Sequence, residues 1–244
     1  MSDRGAALVR WLAWLFAGCL IVATLLFFGL TSGWFAKPPT FPDSADLPTR
    51  LLGSVDFNHA IWPFDLASSL IYAAGFAGLL ALAGVLGSAA PAPGRRVMVT
   101  AFAGAALLVI ASQLIHVGAH QVAIDVPYCD CGFKVQESIS QAWGLMLIDG
   151  AQSWLVSGGS ILLAIGIALA GSIFGGFDRD WRVMSYLTSS VIIVAVAVSV
   201  IGLSDAAGTL TNVGAGVVIP VWAVWLGFAA PNWMDRSAAP SAET

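Results

Sequence analysis

The chain has 244 residues, of which 58% are hydrophobic and only 10% charged, with a mean hydropathy of +0.86. A water-soluble domain carries nearer a quarter charged residues, so this composition excludes an ordinary soluble fold and predicts an all-α, polytopic membrane protein. A net charge of −4 with no basic cluster longer than Arg95-Arg96 argues against nucleic acid as a partner, and three cysteines cannot build a disulfide framework.

Arg4 and Arg10 precede an apolar run beginning at Trp11. The run is too long for a secretory signal, and Trp34-Phe35 and Pro38-Pro39 follow it in place of a small-residue cleavage site. It reads as an uncleaved first span, about 11–33. Residues 36–63 hold Pro38, Pro39, Pro42, Pro48 and Pro63 together with Asp43, Asp46 and Asp56, which predicts a non-helical loop outside the bilayer. The second and third spans fall at about 64–89 and 97–122, joined by a short connection through Pro91, Pro93 and Gly94.

Between Lys134 and Met146 the apolar residues Val135, Ile139, Ala142, Trp143 and Met146 recur at helical spacing. They oppose Glu137, Ser138 and Gln141, a pattern for a short amphipathic helix at the membrane surface before span four. A continuous helix from Ala142 to Phe174 would run roughly 50 Å against a hydrocarbon core of about 30 Å, so a break near Asp149-Gly150 is expected. Spans four, five and six fall at about 153–174, 183–203 and 213–230, with Pro220 expected to distort the last. One six-span domain, 1–236, then ends in a flexible tail, 237–244. No internal repeat is evident, and no glycine pattern for a nucleotide.

Six spans with the N-terminus inside place Arg4, Arg10, Arg95, Arg96, Arg179, Arg182 and Arg236 on the cytoplasmic side, and Lys37, Arg50 and Lys134 outside. This bias predicts a cell-membrane protein with both termini cytoplasmic. Trp11, Trp14, Trp181 and Trp233 fall at the inner boundary and Trp34, Trp62, Trp143 and Trp154 at the outer one, as interfacial anchors. Trp222 and Trp225 lie too deep for that role and are expected to pack against a helix, a lipid or a pigment.

The stretch Gln113–Gly132 gathers the densest chemistry. His116 and His120 share a helix face, and Cys129 and Cys131 follow in a polar turn. With His59, which precedes span two, these five residues form a candidate outward metal site, the only cofactor the sequence suggests. Alternatively, Cys129 and Cys131 form a tight, easily reduced disulfide or simply pack in a structural turn. Asp56, Asp65, Asp125, Asp130, Glu137, Asp149 and Asp205 also collect on the outer side. No Asp, Glu, Lys or Arg falls near the middle of a span, which counts against an ion or proton carrier. Gly171 and Gly175 form a small-xxx-small pair suited to close helix packing.

Three functional readings follow. The first is a non-catalytic accessory or structural subunit, in contact with the lipid bilayer and with a membrane-protein partner or a second copy. The second is a metal-binding or redox protein built on the His/Cys cluster. The third is a transporter of a neutral or apolar solute, against which the lack of paired broken helices counts.

Overall fold

The structure, a computed structural model, describes the backbone of residues 3–37, 40, 42, 47–89, 92–125, 135–176, 178–202 and 204–238. Within these, side-chain surroundings are described except at 3, 47–56, 58, 59, 89, 92, 93, 120–125, 135–146, 149, 204–208 and 231–238. Every described element is a helix: α1 Asp3–Thr31, α2 Leu47–Ala89, α3 Ala92–Asp125, α4 Val135–Phe174, α5 Arg179–Val200, α6 Ser204–Val213 and α7 Ile219–Ala238, with a π turn at Gly214–Val218. Six stretches are long and apolar enough to cross a membrane: Arg4–Thr31, Ala60–Ser88, Gly94–Ala119, Gly150–Phe174, Arg179–Val200 and Thr209–Ala230. Helices are the expected solution, because hydrocarbon offers no partner for a backbone N–H or C=O left unpaired.

Each helix packs on its neighbours in the chain, and α7 returns to α1, closing a ring. The middle of the ring is filled from three helices that are not consecutive. Phe102 of α3 and Trp181 of α5 both meet Trp222 of α7, with ring centroids 6.3 and 5.9 Å apart. All three side chains are fully buried, as are Phe16 and Leu20 of α1 and Leu79 and Leu82 of α2.

Three sequence expectations need correction. Helix α2 begins at Leu47, well inside the stretch expected to be a loop. Pro48 falls in its first turn, where a missing N–H costs nothing, so one of the five prolines favours the helix it was read as breaking. Pro63 lies within the helix. The helix expected over 134–146 is present from Val135, but it runs into span four without a break at Asp149-Gly150. No proline lies between 135 and 174, so nothing removes an i→i−4 hydrogen bond. The surplus length is carried outside the apolar window, where residues 135–149 prolong span four by about 22 Å. Finally, Trp181 is no interfacial anchor. It opens the buried stripe of α5, Trp181, Ser185, Thr188, Ile192 and Ala195, whose helical spacing turns it inward. Trp11, Trp34 and Trp154 are exposed, as membrane-boundary residues should be. Helix α7 continues to Ala238; residues 239–244 of the expected tail lie outside the described residues.

The distortion expected at Pro220 takes the form of the π turn. A proline there has no N–H to donate, and its ring would press on the carbonyl of Gly216 in a regular helix. The backbone widens instead, and the Ile219 N–H reaches back five residues to the Gly214 carbonyl. Gly216 lets this widened turn lie against α1: a Cβ added there would stand 2.7 Å from Thr24 Cγ2.

The turn between α4 and α5 is closed by side chains at both ends. Asp178 Oδ1 accepts from the N–H groups of Asp180 and Trp181, both at 3.0 Å, capping α5. Arg182 donates from Nη2 to the Gly175 carbonyl at 2.7 Å, satisfying an orphan acceptor at the end of α4.

Candidate functional site: a polar cluster joining three helices

His116 lies three residues before the end of the third apolar window, Asp65 five residues after the start of the second, and Gln152 two residues after the start of the fourth. At 1.5 Å per residue, all three sit roughly 3–8 Å inside the same edge of the bundle. They meet there. His116 Nε2 is 2.9 Å from Asp65 Oδ2, and His116 Nδ1 is 3.2 Å from Gln152 Oε1. The imidazole and carboxylate side chains retain 18% and 14% of their exposure, so the surrounding helices cover most of the pair.

This geometry can exist in two states that differ by one proton. With Oε1 of Gln152 facing the ring, both nitrogens donate and His116 is an imidazolium paired with the Asp65 carboxylate. Turning the Gln152 amide by 180° presents its NH₂ to an unprotonated Nδ1, while Nε2–H still donates to Asp65. The cluster can therefore hold or release a proton without losing either contact. It also ties α2, α3 and α4 together at one level, in a setting where polar side chains stabilise by finding one another.

Other polar groups in the spans make the same kind of link. Ser68 of α2 donates to the Ala23 carbonyl of α1 at 3.1 Å. Ser189 of α5 donates to the Ala164 carbonyl of α4 at 2.9 Å. Trp222 Nε1 donates to Ser185 Oγ at 3.0 Å, and that hydroxyl in turn donates to the Trp181 carbonyl at 2.9 Å. Ser112 bonds within its own helix, to Val109.

Of the candidate metal ligands, only His116 has described side-chain surroundings, and both its ring nitrogens are engaged. A metal at His116 would have to displace Asp65 or Gln152. The side chains of His59 and His120 and the whole of Cys129 and Cys131 lie outside the described residues, so the proposed convergence and the possible disulfide do too. Among the described residues, no group of three His, Cys, Asp or Glu side chains is placed to hold a metal. Gly171 and Gly175 face α5: a Cβ on Gly171 would lie 2.6 Å from Ser185 Cβ, and one on Gly175 would lie 2.6 Å from Arg182 Cβ.

The pairing of Asp65 with His116 was the feature the sequence reading missed. Its signal was present: Asp65 precedes Ala90 by 25 residues and His116 follows Pro91 by 25, so a tight antiparallel turn brings them to one height. Set beside protein-family models, curated proteins and solved structures, the chain matches none.

A double-mutant cycle tests whether the pair is a helix link. His116→Leu and Asp65→Leu should each lower stability in detergent by about 1–3 kcal/mol, because each strands the other's polar group. The double variant should lose less than the sum, with a coupling of about 1 kcal/mol. Additive losses would show that the contact contributes nothing.

Proposed function

We propose that the chain is a non-catalytic subunit of a membrane complex, with both termini cytoplasmic, held to its partner through the outward face of α5. The observation that supports this reading is uneven covering of the bundle. Only 22% of the α5 window is buried, against 33–50% for the other five. Its open face carries Val183, Leu187 and Val194 at helical spacing, each at least 49% exposed. The polar groups described in the spans are largely spent on joining helices, as in the Asp65–His116–Gln152 cluster, and the aromatic layer around Trp222 fills the middle of the ring. Both features suit a scaffold better than a transport path. The seven-to-three bias of positive residues supports the orientation.

Site-specific photocrosslinking in native membranes tests the reading. A crosslinker at Leu187 or Val194 should give one discrete adduct, whose mass tells a second copy from a different protein. The same group at Leu107 of α3, which is 60% exposed, should give lipid adducts only. Lipid adducts alone from both helices would refute the α5 interface.

A further inference from the structure

Between α1 and span six an apolar groove of about 480 Å³ opens on the side of the bundle. Ile21 of α1 forms one wall; Val217, Pro220, Val221, Val224 and Phe228 form the other. Gly216 and Val217 of the π turn line one end of the groove, just before Pro220. From Val217 to Phe228 it runs about 16 Å along the helix, close to the depth of one leaflet of a hydrocarbon core about 30 Å thick.

Its end at Phe228 is not apolar. Phe228 packs on Trp14, with centroids 5.3 Å apart, and the Arg10 guanidinium lies 5.9 Å from the Trp14 ring centre. Arg10 Nε donates to the Gly227 carbonyl at 3.4 Å, which anchors the half-buried side chain beside the mouth of the groove. Among the described residues no carboxylate forms an ion pair with Arg10. A fixed cation therefore stands at one end of an acyl-length groove. Guanidinium presents paired N–H donors that match two oxygens of a phosphate.

We propose that this groove is a binding site for one anionic phospholipid, with its phosphate on Arg10 and one acyl chain laid along Pro220 and Val221. The charge complementarity at Arg10 selects an anionic lipid over a zwitterionic one. The match of groove length to leaflet depth selects a lipid over a soluble anion. The positive-charge bias puts the lipid in the cytoplasmic leaflet.

Native mass spectrometry of the full chain in detergent, with phosphatidylglycerol or phosphatidylcholine of identical acyl chains added, tests the site. The wild type should retain the first phosphatidylglycerol about five-fold better, as one cation near a membrane surface implies. Arg10→Gln should bring that ratio to one by lowering phosphatidylglycerol retention more than phosphatidylcholine retention, and Arg10→Lys should keep most of the ratio. Val221→Trp, at a position 47% exposed on the groove rim, should fill the groove and reduce retention of both lipids. All variants are compared at matched helical content by circular dichroism. No preference in the wild type, a preference unchanged in Arg10→Gln, or full retention in Val221→Trp would each overturn the proposal.

Discussion

Trp222→Ala is expected to lower the stability of the detergent-solubilised protein by about 3 kcal/mol, while Trp222→Phe should cost only about 1 kcal/mol. Trp222 is fully buried where α3, α5 and α7 meet. In a membrane the transfer part of a large-to-small substitution nearly vanishes, because lipid tails are as apolar as the protein interior. The cavity part remains. Removing an indole leaves on the order of 100 Å³ unfilled, or roughly 2.4 kcal/mol at 24 cal/mol per Å³. The lost Nε1–H···Oγ bond to Ser185 adds up to about 1 kcal/mol, softened because Ser185 keeps its bond to the Trp181 carbonyl. Phenylalanine restores most of the volume and forfeits only that bond. Reversible unfolding in mixed micelles gives both numbers. Equal losses for the two variants would mean that the hydrogen bond, and not the packing, holds this layer.

Much of the fold was legible because hydropathy reports directly on which segments can enter hydrocarbon. Six helices long and apolar enough to cross a membrane are present, the first of these stretches starting at Arg4 and not at Trp11. What failed were inferences about where helices stop. The five prolines around 38–63 suggested a loop, yet Pro48 in a first turn is compatible with a helix, and Pro63 is carried inside one. The expected break at Asp149-Gly150 relied on bilayer thickness, which limits the apolar window and not the helix. A helix continues into water as long as nothing interrupts its hydrogen bonds. The candidate site was half legible. His116 stood out as a titratable group in an apolar run, but its partners Asp65 and Gln152 belong to other helices. Finding Asp65 needed the turn register and not the local motif. Trp181 was misplaced for a related reason: nearness to a span boundary says nothing about which way a helix face points.

Gly171→Ala should destabilise the protein by about 1–3 kcal/mol, and Gly171→Leu should prevent α4 and α5 from docking in their native positions. A Cβ at residue 171 would stand 2.6 Å from Ser185 Cβ, well inside the 3.5–4.0 Å at which carbons attract. Ser185 Cβ is attached to the backbone and has no rotamer that removes it, so relief requires the two helices to separate. Separation is costly here. Ser185 also receives the Trp222 indole, and Ser189 one turn further along reaches across to the Ala164 carbonyl at 2.9 Å. The turn beneath is held by Arg182 on the Gly175 carbonyl. A shift at residue 171 must therefore strain three hydrogen bonds as well as open the packing. Gly18→Ala supplies the contrast, since a Cβ there meets nothing within 4 Å. That substitution should be neutral or stabilising by up to about 1 kcal/mol, the helix-propensity difference between alanine and glycine. Opposite signs for the two Gly→Ala variants in the same unfolding assay would confirm that close approach at Gly171, and not backbone propensity, decides the outcome; equal responses would show that α4 and α5 do not meet as closely as 2.6 Å implies.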